Sequence, residues 1–496
     1  MFKILLTITL IFSYTYVLSA EEICLELKRF NSSNNIVFEC TDSYHHFKSR
    51  LTTSPRRTQR RASNNLEIGS FNLYHLGGKV AKFKDLDIVA KVIDNFDVLA
   101  AQEIQPVLGR DRKVNEALLS YIGRRNPRTS EKKIYVQPGY LSLLKALQKL
   151  DPSWSLITSP LAESSPFKEY VGFYYRRSKV ELIEDEHCLD FKSEPRGKNF
   201  ACYPALNSDF LDDDYESYFS RRPYLAKFRA RRFDFTLMTS HFIHNAPSDI
   251  NQSTEMLSKF FGATDMDDLH ESGVNSMNYA RVVEMKVILK FMNQYHRDYS
   301  EGDLIFLGDM NLEPKNSYVQ KILSRTDYSL DGEDETTLTN FRYDSTGQET
   351  KGFSKSYDHV MWDRSKIRSN CSTKVSRYDF TKGKTHSLIA KKYMIRSNYV
   401  SQSPEEDFDY LATSKGLRNM NEHLARYKRQ LLSQKVVKRN KIVLDNYRVD
   451  EQVSDFEERV FLDQLYDDSF YRVYKELISD HFPIHFSCNT SRYDND

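Results

Sequence analysis

Several polar side chains of this sequence stand directly after runs of apolar residues, as side chains do at the ends of buried strands. The residues at those ends are Glu103, His241, Asp309, Asn311, Asp480 and His481. A carboxylate in such a place is costly unless it is paired or bound to a metal, so the motifs predict a shared cleft. Oxygen ligands together with two imidazoles suit a divalent cation and phosphoryl chemistry. These residues therefore predict a metal-dependent phosphodiesterase.

The two histidines of this set are candidates for the general acid and the general base. An imidazole needs only a modest pKa shift to exchange protons near neutral pH. Each imidazole also needs a carboxylate that orients it, and the available partners are Asp358, in the segment YDHV, and Glu169, in the segment FKEY. We therefore expect two histidine–carboxylate pairs in the cleft.

The first 20 residues differ from the rest of the chain. Lys3 precedes an apolar run over residues 4–12, and small residues precede Glu21, which is the order of a secretory signal peptide. A buried N-terminal strand or a membrane anchor is the alternative. The mean hydropathy of −0.60 and the 28% of charged residues argue against stable membrane insertion of the whole chain. The sequence thus predicts a secreted or periplasmic protein.

The cysteines and the charge balance indicate which disulfides, metal sites and nucleic-acid contacts to expect. Six cysteines in an exported chain form an even set that allows three disulfides. Proximity favours the pairs Cys24–Cys40 and Cys188–Cys202, which leaves Cys371–Cys488, and no cysteine spacing indicates zinc. Lys and Arg number 71 against 69 acidic residues, so a nucleic-acid footprint would have to be local.

Apolar periodicity predicts a core of mixed strands and helices. Residues 66–72, 97–102, 154–158, 171–175, 233–240, 303–307, 357–362 and 483–488 have strand patterns, whereas 86–96, 140–150 and 280–293 have helical spacing. Many strands follow one another without a helix between them, so we expect an α+β or layered α/β sandwich and not a regular βαβ repeat. The 496 residues suffice for one large core and a second small module.

Two regions fall outside this pattern. Residues 21–65 predict a small N-terminal segment and a basic flexible linker, which could instead be an arm for a polyanion or a processing site. Residues 391–476 predict a charged helical insertion, because a strongly basic stretch at 415–441 precedes an acidic stretch at 450–468. The two stretches could pair with each other, or the basic one could form a lid over the catalytic rim.

The motifs together resemble the endonuclease/exonuclease/phosphatase superfamily, and most closely its deoxyribonuclease-I-like branch. The resembling segments are SFN at 70–72, QE at 102–103, SH at 240–241, GDMN at 308–311, YDHV at 357–360 and SDHFPI at 479–484. The resemblance assigns residues 66–390 plus 477–490 to the catalytic domain. It implies a layered α/β/β/α sandwich, with two packed mixed sheets flanked by helices and the active site at one rim.

The resemblance also implies the role of each residue. Glu103 would be the principal ligand of Mg²⁺, for which Ca²⁺ or Mn²⁺ could substitute, and Asn72 would orient the phosphate or a metal-bound water. The second metal position, or the attacking water and the phosphate, would be held by Asp309, Asn311 and Asp480. The acid/base pair would be His241 and His481, oriented by Glu169 and Asp358.

Three further residues are assigned to the substrate by the same resemblance. Arg221 would contact a phosphate, Phe167 would pack on a sugar, and Tyr74 stands where relatives carry an arginine that reaches into the minor groove. Gln105 replaces a second such arginine, so the usual grip on duplex DNA is altered. The resulting prediction is a monomeric, secreted endonuclease that cuts DNA with little sequence preference. The alternatives are a phospholipid- or inositide-directed enzyme of sphingomyelinase type and a non-enzymatic binding module.

Overall fold

The computed structural model describes residues 27–30, 36–38, 46–47, 64–77, 84–105, 139–159, 169–191, 200–245, 247, 249–271, 274–299, 302–338, 353–389, 474–475 and 477–492. The chain divides into two compact units. The first contains Met1–Thr336, Lys355–Tyr378 and His481–Asp496, and the second contains Thr337–Ser354 and Asp379–Asp480. The predicted signal peptide and all but two residues of the predicted insertion lie outside the described residues.

Sixteen strands are described. They are β1 Leu27–Phe30, β2 Ile36–Phe38, β3 His46–Phe47, β4 Asn65–Leu76, β5 Val98–Ile104, β6 Trp154–Thr158, β7 Tyr170–Arg176, β8 Glu181–Ile183, β9 Ala201–Cys202, β10 Tyr224–Ala230, β11 Phe233–His241, β12 Leu304–Asp309, β13 Tyr328–Asp331, β14 Asp358–Asp363, β15 Ser376–Arg377 and β16 Ile484–Asn489. The helices are α1 Leu86–Ile93, α2 Gly139–Leu150, α3 Glu186–Asp190, α4 Ile250–Phe261, α5 Met266–Glu271, α6 Tyr279–Tyr299, α7 Ser317–Leu323, α8 Arg364–Ile367 and α9 Gly383–Ile389, with a 3₁₀ turn at Glu216–Tyr218.

The first unit contains two mixed seven-stranded sheets. The first sheet has the order β15-β16-β4-β5-β7-β6-β3, and the second has the order β13-β14-β12-β11-β10-β8, with β9 also paired to β10. Only β4–β5 and β11–β12 pair in parallel, and the other pairs of these sheets are antiparallel. β3 lies inside the region predicted as a flexible linker and pairs with β6. The α+β sandwich predicted from the sequence is confirmed.

Two apolar cores hold these layers together. One lies between the sheets and includes Ile68, Phe173, Ile305, Val360 and Trp362. The other lies between the second sheet and helices α4 to α6. On the first sheet, α2 contacts β6, and α1 contacts α2. Burial on both faces explains why β5 and β12 are almost continuously apolar up to their last residues.

Two disulfides are formed among the described residues of the first unit. Cys188 pairs with Cys202, and Cys371 pairs with Cys488, as predicted from the sequence. Cys24 and Cys40 lie outside the described residues. No helix within the described ranges is both long enough and apolar enough to cross a bilayer.

The described part of the second unit is small. It consists of α9, the segments around the β-bridge between Leu338 and Phe353, and residues that include Tyr474 and Asp480. The Tyr474 hydroxyl lies 2.6 Å from His386 Nδ1, which joins α9 to the segment before Asp480.

Candidate active site

Asn72 and Glu103 come from the parallel neighbours β4 and β5. Asn72 is paired with Gln102, so Glu103 stands one residue farther toward the same rim. The chain leaves regular strand geometry there, because Tyr74, His75 and Glu103 have φ values of 43°, 56° and 56°, and the register of both strands shifts. Such conformations cost on the order of 1 kcal/mol or more for residues other than glycine. These bulges re-aim the side chains at the rim.

Three further candidates lie side by side across the second sheet. His241 ends β11 and is paired in register with Asp309, the last residue of β12, and Asp309 is paired with Asp358, the first residue of β14. β11 and β12 approach each other so closely that a side chain at Gly308 would collide with the carbonyl oxygen of Ser240. The sheet itself therefore brings these three residues together, although they are far apart in sequence.

Asn72 joins the two sheets at this rim. Its Nδ2 donates to Glu103 Oε1 at 3.0 Å and to Asp309 Oδ2 at 3.0 Å. Next to it, Gln102 Nε2 donates to Thr239 Oγ1 of the second sheet at 2.8 Å. These side chains are buried, so unmade hydrogen bonds would be costly and their positions are well defined.

Both histidines have the same arrangement around Asp309. His241 Nδ1 lies 3.2 Å from Glu169 Oε2, and His481 Nδ1 lies 2.8 Å from Asp358 Oδ2. Their Nε2 atoms lie 3.5 Å and 3.6 Å from the same atom, Asp309 Oδ2. A carboxylate on Nδ1 fixes the tautomer and leaves Nε2 to exchange protons. The two predicted pairs are thus formed, and both present Nε2 to one place.

Arg221 lies behind the first of these pairs. Its Nε lies 2.6 Å from Glu169 Oε2, its Nη2 donates to Glu169 Oε1 at 3.3 Å, and its Nη1 donates to the carbonyl oxygen of Phe242 at 3.4 Å. Burial and Arg221 lower the pKa of His241, but Asp309 and Glu169 outweigh them and the pKa is raised. The guanidinium therefore orients Glu169, and its predicted contact with a phosphate stays a prediction.

Glu103 and Asp309 are held in the ionised form. Burial alone would raise the pKa of Glu103, but a hydrogen bond from His75 and the nearby His241 hold it well below its ordinary value. The pKa of Asp309 is lowered as well, because His481 and His241 outweigh the effect of burial. Two ionised, buried carboxylates at one rim would repel each other unless cations or donors lie between them.

The donor set fits a divalent cation. Ligand atoms of Asp309, Asp358 and His481 all lie within 4.8 Å of one another. Asp358 and His481 already use each other as hydrogen-bond partners, so Glu103 and Asp309, both bonded to Asn72, are the better ligands. Ionised carboxylate oxygens are the ligands that Mg²⁺, Ca²⁺ and Mn²⁺ prefer.

The remaining predicted residues have different outcomes. Asp480, in the second unit, pairs through Oδ2 with Lys475 Nζ at 2.9 Å, and its buried Oδ1 has no hydrogen-bond partner among the described residues. Its role as a metal ligand stays a prediction. Tyr74 is half-buried, with its ring centroid 4.9 Å from that of His75, so its substrate contact also stays a prediction. Phe167 lies outside the described residues.

Asn311 is held by the segment that follows His241. Its Nδ2 donates to the carbonyl oxygen of Phe242 at 3.0 Å, and its Oδ1 lies 3.1 Å from His244 Nδ1. Its φ of 49° adds a fourth strained conformation to those of Tyr74, His75 and Glu103. The predicted pair Asp309 and Asn311 therefore belongs to the same cluster, and His244 is an additional member.

Sequence reasoning missed four residues that support this cluster. They are His75, His244, Arg281 and Glu284. His75 Nδ1 lies 3.0 Å from Glu103 Oε2 and 2.8 Å from the side-chain Nε2 of Gln105. The spacing of His244, three residues after His241, was the one available signal. Arg281 and Glu284 are two of several charged residues on α6, and nothing in the sequence shows which of them contact the site.

Comparisons with known proteins find similar solved structures, all at low sequence identity. No family model and no curated protein matches the chain. An endonuclease/exonuclease/phosphatase family protein from Bacteroides thetaiotaomicron is 14% identical, with 64% of this chain and 91% of that one covered and a TM-score of 0.34. The mannosyl-6-phosphatase Bt3783 of the same organism is 14% identical, with 63% and 91% covered and a TM-score of 0.33.

A family protein of the same description from Leptotrichia buccalis is 14% identical, with 64% of this chain and 94% of that one covered and a TM-score of 0.34. The TM-scores of all three structures lie below 0.5, so these likenesses carry no conclusion about the fold or the activity of this chain.

Proposed function

We propose that this protein is a divalent-metal-dependent phosphodiesterase, and specifically a secreted endonuclease that hydrolyses DNA. The observation that carries the proposal is the convergence of the Nε2 atoms of His241 and His481 on Asp309 Oδ2, at 3.5 Å and 3.6 Å. Two imidazoles that flank one point can serve the attacking and the leaving oxygen of the same phosphate.

The chain's own residues account for the proton transfers. One imidazole takes a proton from water on Nε2 while the water oxygen forms a bond to phosphorus. The other imidazolium gives its Nε2 proton to the leaving oxygen as the P–O bond breaks, so that one alcohol and one phosphomonoester result. Glu169 and Asp358 hold the two rings through Nδ1, and Asn72 and Asn311 offer amide groups at the same rim.

A divalent cation on Glu103 and Asp309 would neutralise charge on the phosphate oxygens. Supercoiled plasmid DNA with Mg²⁺, with and without EDTA, tests the proposal. We expect nicking that EDTA abolishes and that His241→Ala and His481→Ala reduce by at least about 10²-fold. His270→Ala, on the exposed helix α5, is the matched control.

Liposomes of sphingomyelin or phosphatidylinositol, incubated under the same conditions, are the second arm of this experiment. If the protein hydrolyses the lipid and does not cut plasmid, the proposed phosphodiesterase activity holds and its substrate is a phospholipid. If the histidine variants cut plasmid at the wild-type rate, His241 and His481 are not the general acid and the general base.

A further inference from the structure

A cleft of about 520 Å³ opens beside the histidine cluster, and it contains Asn311. Its other lining residues come from four loops and from the start of α6. They include His244, Arg281, Glu313, Lys315, Lys355 and Tyr357. The volume is within the range of sites that hold small organic groups.

The cleft is continuous with the rim that carries the proposed chemistry. His244 and Asn311, whose side chains are in contact at 3.1 Å, both line it. The two lysines belong to the segments of catalytic candidates, because Lys315 follows Asn311 by four residues and Lys355 precedes Asp358 by three. The cleft is therefore lined by the segments that also carry Asn311 and Asp358.

The charge of the lining is predominantly positive. Lys315, Lys355 and Arg281 face a single acidic lining residue, Glu313. Arg281 is committed to backbone carbonyl oxygens, including that of Ile243 at 3.2 Å, so the lysines are the cations that a ligand can engage.

Both lysines have acidic neighbours that a ligand can replace at little cost. Lys355 pairs with Glu313, and Lys315 Nζ lies 2.7 Å from Asp334, which does not line the cleft. The side chains of the second pair are 80% and 78% exposed, and those of the first are 54% and 45% exposed. Exposed ion pairs contribute about 0–1 kcal/mol, so an anionic ligand can exchange with the carboxylates.

We propose that this cleft is a subsite for a second phosphate group of the substrate, next to the phosphate that is cleaved, and that Lys315 and Lys355 bind it. The inference rests on the proposed function and adds where the phosphate next to the cleaved one binds. A choline headgroup would need acidic or several aromatic neighbours, and Tyr357 is the only aromatic residue among those that line the cleft.

Two esters that differ in phosphate number test the subsite. One is the p-nitrophenyl ester of thymidine 5′-phosphate, which has a single phosphate, and the other is a short oligothymidylate. We expect the ratio of kcat/KM for the oligonucleotide to that for the ester to fall at least 5-fold in Lys315→Gln/Lys355→Gln. Lys366→Gln, an exposed lysine of α8 outside the cleft, should leave the ratio unchanged. A ratio within twofold of the wild-type value in the double variant would overturn the proposal.

A binding measurement tests the phosphate subsite independently of the proposed hydrolytic activity. The anisotropy of a fluorescent oligothymidylate is measured in EDTA at several salt concentrations, where no hydrolysis is needed. We expect weaker binding by the double variant and a salt slope that is smaller by about 0.7, which is the contribution of one phosphate contact on a single strand. A wild type that hydrolyses neither ester would refute the activity, whereas equal affinity and equal salt slope would refute the subsite.

Discussion

Asn72 and Asp309 are 237 residues apart in sequence and are joined by a hydrogen bond of 3.0 Å between Nδ2 and Oδ2. The bond connects β4 of the first sheet with β12 of the second. The other hydrogen of the same amide goes to Glu103 Oε1, so one neutral group separates two ionised carboxylates. The amide therefore has a chemical role, since a carboxylate in its place could donate to neither neighbour.

Replacement of this amide tests that role. In Asn72→Asp a third carboxylate would stand about 3 Å from Glu103 and Asp309, where like charges repel and no donor remains. We expect kcat/KM for the thymidine ester to fall at least about 10²-fold, and the midpoint of thermal unfolding in EDTA to fall as well. Asn293→Asp, at an exposed position of α6, is the control. Activity within threefold of the wild type would show that the amide has no such role.

The two histidine–carboxylate pairs can be tested independently of each other. Glu169→Gln and Asp358→Asn keep the shape of the side chain but no longer fix the Nδ1–H tautomer of His241 and His481. We expect each change to lower kcat at least about 10²-fold with a smaller effect on KM, because the rings would present the wrong tautomer to the phosphate. Asp298→Asn, on the exposed face of α6, is the control. A large rise in KM at unchanged kcat would assign these carboxylates to substrate binding instead.

The sequence revealed the parts of the site that lie at strand ends. Glu103, His241 and Asp309 were recognisable because each polar side chain follows a strongly apolar strand, and the strands indeed end at or just beyond them. The backbone bulges were not predictable, since φ values of 56° at His75 and Glu103 arise from the pairing of β4 with β5 and not from local residue preference. Contacts with His75 could not be foreseen for the same reason.

The lengths of the two disulfide-closed loops predict which disulfide stabilises the fold more. Cys188–Cys202 spans 14 residues, and Cys371–Cys488 spans 117 residues. In the chain-entropy account a loop of about 15 residues contributes about 3 kcal/mol and one of about 100 residues about 4.7 kcal/mol. We expect Cys371→Ala/Cys488→Ala to lower the midpoint of guanidinium unfolding more than Cys188→Ala/Cys202→Ala. The opposite order would show that local packing around α3 outweighs the entropy of the unfolded chain.

Two residues of α6, Arg281 and Glu284, also support the rim, because they bind the backbone carbonyl and the backbone N–H of Ile243. Arg281 Nε donates to the carbonyl oxygen of Ile243 at 3.2 Å, and the Ile243 N–H donates to Glu284 Oε2 at 2.9 Å. Glu284 Oε1 accepts from the N–H of Ser220, which precedes Arg221. The carboxyl is fully buried, and burial raises its pKa from 4.5 to about 8 in spite of these donors.

This shift predicts how stability changes with pH. Between pH 4.5 and about 8 the folded protein keeps the Glu284 proton that the unfolded chain releases, so the free energy of unfolding falls as pH rises through this window. The slope from this group is at most about 1.4 kcal/mol per pH unit. Glu284→Gln keeps the size of the side chain and removes the proton, so guanidinium unfolding in EDTA should lose less stability from pH 5 to pH 8 than the wild type does. An identical pH dependence in both proteins would mean that the backbone donors keep the buried carboxyl ionised.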